Sequence, residues 1–542
     1  IEIDLDGISN RIVEFPVSEG IFGQVIGLQN KVIFSEFPIS SDYDDFSQFE
    51  KDEGVLWMYD FDKHEIEKIT DEVGKIEISN SENNYSTILY DCGEKIRAIE
   101  AGITLPEDIK SDNLPSRKSG WIDLKRIRIS VDYKKEWSQM FHEAWRLQKE
   151  FFWTEDLSGV DWEKVFKRYV NILPRIGSRS ELSDLIWEMQ GELGTSHAYE
   201  YGGDYPNFSK YPVGFLGADI SFDKEKKSWF IQKIFAGDIW KSNELSPLAQ
   251  PGVLIEEGDK LLSIGGIKLD ENITPGELLV NQAGQNISLK VLKNNYEKKD
   301  SKNKIIESQE VLVKTLYSEK EVRYREWVTN NLKIVTKLSN GQIGYIHIPD
   351  MSSNGISEFH RGYLSQVDRK GLIIDVRYNA GGMVSPLILE KLSHRHLGYD
   401  IPRWGSPESY PYHTLRGYLV VIANQFTGSD GDMFTESFRQ LKLGKIIGKR
   451  TWGGVIGIDS RYQLVDGTTT TQPQYSILFH NSGWSIENHG VDPDIEVEDT
   501  PQSYKQKEDL ILQKAINEIL KMLKEKPLPS LSLPPSPNKL IP

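Results

Sequence analysis

A serine between a glycine and an aspartate, Ser429, separates a strand pattern from a helix pattern. The apolar run Tyr418–Ala423 predicts a strand buried on both faces, and Met433–Leu441 predicts a helix. A strand, a sharp glycine-containing turn and a helix together lift a serine hydroxyl out of a sheet toward a substrate. The free N–H groups at the start of the helix could stabilise a developing oxyanion. The alternative is that Ser429 only caps the helix, because Gly-Ser-Asp is common at that position.

A histidine that could act as a base, His197, lies beside Ser196 just beyond a predicted helix. The periodic patterns Trp137–Phe151 and Leu182–Met189 predict two helices, and two glycines end the second one shortly before His197. Taken alone, a histidine in this position is more often structural than catalytic.

The composition excludes several kinds of partner and site. The chain has 542 residues, enough for three to five domains, and a formal net charge of −17. This charge argues against nucleic acid or an anionic membrane surface as a partner, since both attract a basic face. Cys92 is the only cysteine, which excludes an intrachain disulfide and a cysteine-based metal site. We recognise no spanning apolar run and no signal peptide, and we expect a cytoplasmic protein.

The first hundred residues carry a repeated hairpin pattern, at Ile3–Phe15, Tyr59–Ile69 and Tyr90–Ile99. Such repeats are typical of β-propeller blades. About two blades fit, which is too few to close a ring. We therefore expect the chain to be the C-terminal part of something longer, or to borrow blades from elsewhere.

Residues 206–316 resemble a PDZ domain. Val213–Ala218 is similar to the carboxylate-binding loop that precedes the edge strand of that fold, and Gly252–Gly266 and Leu279–Leu292 continue the pattern. PDZ folds capture peptide ends by strand addition and backbone donors. The alternative is a spacer fold whose groove is unused.

A second strand, Gly371–Arg377, ends in Asn379-Ala380-Gly381-Gly382 and precedes the segment with Ser429. A PDZ-like domain upstream of these two motifs resembles the tail-specific, C-terminal-processing serine peptidases. Within that group the blade-like start, Thr195-Ser196-His197 and Glu487-Asn488-His489-Gly490 are similar to the tricorn proteases. The resemblance covers nearly the whole chain.

The resulting fold class is multidomain α+β. It combines partial β-propeller blades, a helical domain, a PDZ-like domain, an α/β sandwich catalytic core and a C-terminal helix with a Pro-rich tail. The predicted domain ranges are 1–104, 105–205, 206–316, 317–510 and 511–542.

The identity of the base separates two branches of this superfamily. Processing peptidases place a lysine in a Ser/Thr-Phe-Gly-Lys-Gly segment downstream of the serine, whereas this chain has Gly454 at the lysine position. Tricorn-like enzymes take a histidine from the helical domain, which matches His197. Lys445 and Lys449 are further lysine candidates, but they lie in or beside a strand.

The resemblance implies a role for each site residue. Ser429 is the nucleophile and His197 the general base, and Ser196 and Glu487 match the pair that orients the imidazole. The backbone N–H groups of Gly382 and Asp430 match the oxyanion hole.

The resemblance also implies how substrates are selected. Asp400 falls where tricorn enzymes carry an acidic residue that selects basic P1 side chains and reaches in from a neighbouring subunit. The alternative is that Asp400 only belongs to a solvated loop. It implies a homo-oligomer, a hexamer, acting on peptide substrates.

Two other functions stay open at the level of sequence: a catalytically silent PDZ and propeller scaffold that binds peptides, and a Ser–Lys processing peptidase. The leading hypothesis is a serine peptidase that hydrolyses oligopeptides or unfolded chains through an acyl-enzyme on Ser429. The pair His394 and His396 could mimic a metal site, but no carboxylate joins it at helical spacing. We expect neither a metal nor a cofactor.

Overall fold

The computed structural model describes residues 4–12, 14–37, 54–79, 87–93, 95–106, 109, 112–206, 209–241, 244–294, 308–535 and 539. The chain divides into two compact units, Ile1–Tyr133 and Lys134–Pro542, which are described separately. The finer division into five ranges stays a prediction.

The first unit consists of two antiparallel sheets. The four-stranded sheet contains β1 (Ile21–Leu28), β2 (Lys31–Phe37), β3 (Gly54–Asp60) and β4 (Glu65–Val73), and the three-stranded sheet contains β5 (Ile76–Ser79), β6 (Thr87–Cys92) and β7 (Lys95–Glu100). Apolar side chains of both sheets share one core that includes Ile33, Leu56, Ile88 and Tyr90. Among the described residues these sheets do not close into a ring.

Two of the three predicted hairpins are present in this unit. Tyr59 pairs with Ile66 across β3 and β4, and Tyr90 pairs with Arg97 across β6 and β7. The first predicted hairpin is wrong, because the described residues 4–12 contain a short 3₁₀ helix, Ile8–Arg11, and no strand. Alternating polar and apolar residues over so short a stretch do not distinguish a strand from a helical turn.

The second unit begins with three helices that carry the predicted periodic patterns. They are α1 (Tyr133–Phe151), α2 (Trp162–Val170) and α3 (Arg179–Gly191), and the short strand β8 (Glu200–Tyr201) follows. Side chains of Asp161 and Ser178 cap α2 and α3 by accepting backbone N–H groups. Met140, Phe141, Leu182 and Ile186 are buried between the helices.

The predicted PDZ-like segment forms an antiparallel sheet in the order β14-β13-β11-β10-β9, with β12 paired to β11. Its elements are β9 (Ala218–Asp223), β10 (Ser228–Ile234), β11 (Lys260–Ile264), β12 (Ile267–Lys268), α4 (Pro275–Leu278), β13 (Asn286–Leu292) and β14 (Gln309–Lys314). A capping box between Thr274 and Glu277 starts α4. The strand β9 lies at the edge of this sheet.

The remainder of the unit is an α/β layer structure around five parallel strands in the order β15-β16-β19-β20-β24. Its elements are α5 (Lys320–Leu338), β15 (Ile343–His347), α6 (Ser353–Gln366), β16 (Gly371–Asp375), α7 (Ser385–Ser393), β17 (Gly398–Asp400), β18 (Glu408–Tyr410), β19 (Tyr418–Ala423), α8 (Asp430–Gln440), β20 (Gly444–Gly448), β21 (Gly457–Asp459), β22 (Thr469–Thr470), β23 (Gln472–Tyr475), β24 (Ile495–Glu496), α9 (Pro501–Gln506) and α10 (Leu510–Glu525).

Helices cover both faces of this sheet, which explains its continuous apolar strands. Helices α5 and α10 pack on one face, where Val335 and Ile516 meet Ile373 and Val420. Helices α6, α7 and α8 pack on the other face, where Phe359, Ile388 and Phe434 meet Ile374 and Val421. Ligands of such sheets bind beyond the carboxyl ends of the strands, and β16 and β19 end there in the two segments predicted to be functional.

No helix among the described residues is long and apolar enough to cross a membrane.

Candidate active site

The turn between β19 and α8 holds Ser429 in a backbone conformation that is unusual for a residue with a side chain. Its φ is 55° and its ψ is −122°, and α8 starts at the next residue. Such positive φ values cost of order 1–3 kcal/mol and cluster at functional sites. The Ser429 side chain makes no capping hydrogen bond to α8. The helix-cap alternative therefore loses the contact on which it depends.

A second loop, residues 379–382 after β16, lies directly against this turn. The carbonyl of Asn379 accepts the N–H of Gly428 at 3.0 Å, and its side-chain oxygen accepts the N–H of Gly381 at 2.9 Å. A β-carbon added at Gly381 would stand 2.5 Å from the β-carbon of Ser429. Only glycine fits at that approach.

The predicted oxyanion donors are the N–H of Asp430, which follows Ser429 in the chain, and the N–H of Gly382, which follows Gly381 in the loop packed against Ser429. Neither N–H group has a hydrogen-bond partner among the described residues. The buried carboxyl of Asp430 accepts the N–H of Ser385 at 3.0 Å and also binds its hydroxyl, which ties the start of α7 to the start of α8. Burial raises the pKa of Asp430, and the hydrogen bonds from Ser385 oppose that shift. Both donors thus belong to loops whose positions are fixed by buried hydrogen bonds.

His197, Ser196 and Glu487 form one chain of hydrogen bonds. Nδ1 of His197 lies 2.9 Å from the hydroxyl of Ser196, and this hydroxyl lies 3.1 Å from Oε2 of Glu487. A carboxylate only accepts, so the Ser196 hydroxyl donates to Glu487 and accepts from Nδ1. The chain of bonds therefore favours the tautomer in which Nε2 of His197 carries a lone pair.

The carboxylate of Glu487 is held by four further donors. Oε1 accepts the N–H of Ser196 at 2.7 Å and the Thr195 hydroxyl at 3.1 Å, and Oε2 accepts the N–H groups of Val455 and Ile456 at 2.8 and 3.2 Å. Burial lowers the pKa of His197, and the charge of Glu487 partly reverses that shift. Both effects suit an imidazole that is neutral near pH 7 and gains a proton when a base is needed.

The segment Thr451–Gly454 contacts both halves of the site. The Trp452 ring lies 5.3 Å from the His197 ring between centroids, and the same indole packs against Gly428, where an added β-carbon would stand 2.7 Å from it. Buried Asp432 of α8 holds this segment by accepting the N–H groups of Gly453 and Gly454 at 2.9 and 3.3 Å. Trp452 thus links the turn that carries Ser429 to the segment that carries His197.

The structure does not join every predicted residue. Within the described chain, neither Oγ of Ser429 nor Nε2 of His197 has a hydrogen-bond partner. Asp400 is exposed on the β17–β18 hairpin, where its carboxylate raises the pKa of the Tyr412 hydroxyl, and no described contact joins it to the other site residues. His489 pairs with Asp492 at 2.8 Å and takes no part in the chain of bonds.

A lysine base has no support in this geometry. A β-carbon added at Gly454 would stand 2.3 Å from the Trp452 ring, so a side chain would have to displace the indole. Lys445 pairs with Glu518 at 2.5 Å and Lys449 pairs with Glu498 at 3.0 Å. Both alternative lysines are therefore bound to carboxylates.

Several residues at the site had no role in the sequence analysis. Thr471 donates its hydroxyl to the carbonyl of His197 at 2.6 Å and accepts the N–H of Tyr199 at 2.8 Å, which fixes the histidine segment. Trp452 and Asp432 act as described above. Asp432 and Asn379 stand inside the two motifs, which could have indicated their roles, whereas nothing in the sequence marks Thr471.

Comparisons with known proteins show which family this chain resembles. The family model for peptidase family S41 matches residues 342–497, that for the tricorn protease C1 domain matches 133–191, and that for the tricorn protease PDZ domain matches 214–308. The crystal structure of the tricorn protease superposes with a TM-score of 0.82 at 31% identity, over 94% of this chain and 47% of that one. The chain belongs to the tricorn protease family.

Curated relatives of the tricorn family extend over nearly all of this chain. A putative tricorn-like protease C-terminal subunit of Sulfurisphaera tokodaii is 40% identical over 97% of the chain and 58% of its own length. A tricorn protease homolog of Saccharolobus solfataricus is 41% identical over 96% of the chain and 46% of its own length. The chain thus spans about half the length of the curated relatives it matches.

Proposed function

We propose that the chain is a serine peptidase of the tricorn type that hydrolyses oligopeptides or unfolded chains through an acyl-enzyme on Ser429. The observation that carries this proposal is the hydrogen-bonded chain from Glu487 through Ser196 to His197, which favours a lone pair on Nε2. The membership in the tricorn family supports the same conclusion.

In the proposed reaction, Oγ of Ser429 attacks the carbonyl carbon of the scissile peptide bond while Nε2 of His197 takes its proton. The imidazolium then donates this proton to the amine, and the C–N bond breaks to leave an ester on Ser429. A water molecule, deprotonated by the same nitrogen, attacks the ester and releases the acid. The proton returns to Oγ, so the enzyme is regenerated.

The N–H groups of Gly382 and Asp430 would bind the oxygen that becomes negative in each tetrahedral intermediate. Neither donor has a partner in the part of the chain that the structure describes, and both lie on loops held by hydrogen bonds of Asn379 and Ser385. Little reorganisation should therefore accompany charge development. Loss of one such donor typically costs about 3 kcal/mol of transition-state stabilisation.

The proposal extends to substrate selection and assembly. We assign Asp400 to the selection of basic P1 side chains in the site of a neighbouring subunit. It is exposed, and no described contact joins it to the site of its own chain. This requires a homo-oligomer, for which a hexamer is the expected form. The two blade-like sheets are proposed to complete a propeller with blades from elsewhere, and a cytoplasmic location is part of the same proposal.

Labelling with a fluorophosphonate tests the assignment of nucleophile and base. We expect the unmodified chain to react, Ser429→Ala to lose all labelling, and His197→Ala to lose most of its rate. His489→Ala is the matched control, because that histidine lies two residues from Glu487 yet outside the chain of bonds, and it should label normally.

Each outcome has a clear meaning. Labelling that persists in Ser429→Ala rejects the nucleophile, and full-rate labelling in His197→Ala returns attention to a lysine base. A chain that folds but never reacts is the scaffold of the alternative hypothesis.

A further inference from the structure

The start of the edge strand β9 binds a carboxylate from another element. The N–H of Gly217 donates to Oε1 of Glu319 at 2.9 Å, and the N–H of Ala218 donates to the same oxygen at 3.3 Å. Consecutive backbone donors at the head of an edge strand are the means by which PDZ folds receive a peptide's terminal carboxylate. Here the donors are already used within the chain.

A guanidinium completes the surroundings of this carboxylate. Nε and Nη2 of Arg323 lie 2.7 and 2.6 Å from Oε2 of Glu319. Arg323 is itself held by Asp219 at 2.9 Å and lies 4.2 Å above the ring of Phe235. The Glu319 side chain is only 11% exposed, whereas the Arg323 side chain is 42% exposed. The carboxylate is therefore largely buried, and its charge is matched by a guanidinium that remains partly in water.

The position of Glu319 explains why it can reach this site. It immediately precedes α5, but its side chain accepts no backbone N–H at the start of that helix. Its carboxylate is shared instead between the Arg323 side chain of α5 and the backbone of the PDZ-like segment. One end of the contact therefore belongs to the peptidase core and the other to the PDZ-like sheet.

We propose that Gly217, Ala218 and Arg323 form a carboxylate-binding site whose resident occupant is Glu319, so that the C-terminus of a peptide enters only by displacing it. The occupant is tethered in the same chain and competes at a high effective concentration. The PDZ-like groove of this chain is accordingly closed to free peptide ends until Glu319 leaves. The released site would take a C-terminal carboxylate, with the peptide lying along β9 as an added strand.

Fluorescence anisotropy tests this with a fluorescein-labelled peptide pool randomised at its last four positions, offered with a free carboxylate or as the C-terminal amide. All measurements use the full chain carrying Ser429→Ala, so the result does not depend on the proposed peptidase activity. We expect Glu319→Ala to bind the free-carboxylate pool at least roughly tenfold more tightly than the parent, because the competing hydrogen bonds to a charged group are gone. The amide pool should show no gain.

Two variants make the test specific. Glu321→Ala removes an exposed carboxylate two residues along the same helix and should leave binding unchanged. Adding Arg323→Ala to Glu319→Ala should abolish the gain, because the peptide carboxylate then lacks its cation. Equal binding by the parent and Glu319→Ala, an equal gain with the amide pool, or no gain in any variant would each overturn the proposal. Circular dichroism of every variant establishes that the fold is retained.

Discussion

The proposed chemistry depends on which ring nitrogen of His197 carries the proton. Because the carboxylate of Glu487 can only accept, the hydroxyl of Ser196 donates to it and accepts from Nδ1, so the proton is on Nδ1. Burial lowers the pKa of the imidazole, while Glu487 acts in the opposite direction. The proposed base is thus both oriented and tuned by a carboxylate it does not touch.

We predict that Glu487→Gln lowers kcat/KM by roughly 10²-fold, within the range of general-base contributions. The acidic limb of the pH–rate profile should also move to lower pH, because the charge that raises the pKa of His197 is removed. A pH profile with a P1-arginine peptide measures both effects. Glu498→Gln, a change at an exposed carboxylate, is the control. A limb that moves to higher pH would contradict the proposed relay.

At the scale of elements, the segment Thr451–Gly454 connects the parts of the site. It is fixed to α8 through Asp432, and its indole contacts both Gly428 and His197. Burial raises the pKa of Asp432 to about 6, and the hydrogen bonds from this segment only partly offset the shift. The segment is therefore held by a carboxyl group that loses a proton near the physiological range.

We predict that Asp432→Asn becomes more stable relative to the parent as the pH rises from about 4 to about 6. The folded pKa of Asp432 lies above its ordinary value of 3.8, so the folded state binds more protons and the parent loses stability on ionisation. A pKa shift of this size lowers the free energy of unfolding of the parent by about 3 kcal/mol in total over this pH range. Unfolding temperatures of both chains, measured across this pH range, give the difference. A difference in unfolding temperature, variant minus parent, that stays constant or falls as the pH rises through this range would contradict the assignment.

At the scale of the whole second unit, a buried ion cluster attaches the helical segment to the α/β core. Arg179 at the start of α3 binds Glu200 at 3.0 Å and Asp466 at 2.7 Å, and all three side chains are at most 6% exposed. The strand β8 beside it pairs with β22 of the core. These contacts flank His197 in sequence and hold its segment against residues 466–470 of the core.

We predict that Arg179→Met destabilises this unit by about 3–5 kcal/mol, because two buried carboxylates lose their cation. At temperatures where the variant is folded, fluorophosphonate labelling should also be slower, since His197 is less firmly placed. The matched control is Arg168→Met, which breaks an exposed pair with Glu192 and should change the unfolding temperature little. Equal changes of the unfolding temperature in the two variants would show that burial of the ion pairs does not cause the destabilisation.

At the scale of the assembly, the proposed role of Asp400 makes a prediction about mixed subunits. Chains with Ser429→Ala and chains with Asp400→Ala should each fail to cleave a P1-arginine peptide efficiently. A mixture should recover cleavage, because some intact Ser429 sites then receive Asp400 from a neighbour. Cleavage of a P1-leucine peptide by the Asp400→Ala chain is the control. Absence of recovery in mixtures would contradict the proposal that Asp400 serves the site of a neighbouring subunit.

Much of the fold could be predicted from local patterns. The strand Tyr418–Ala423 appears with the predicted bounds, and the helix predicted after Ser429 is present as Asp430–Gln440. These signals are strong because the elements are long or buried on both faces. The prediction of a hairpin near the N-terminus is wrong, because a short alternating stretch does not distinguish a strand from a helical turn.

The residue types at the site can be read from the sequence: a serine in a glycine-rich turn, a histidine after a helix, a glycine where a lysine base would stand, and a carboxylate far along the chain. Which of these residues meet depends on tertiary packing. Hydrogen bonds between segments almost three hundred residues apart, such as Ser196 with Glu487, depend on how the helices pack on the sheet. Likewise only the structure showed that Glu319 fills the head of the PDZ-like groove, because contacts between distant segments leave no periodic signal in either one.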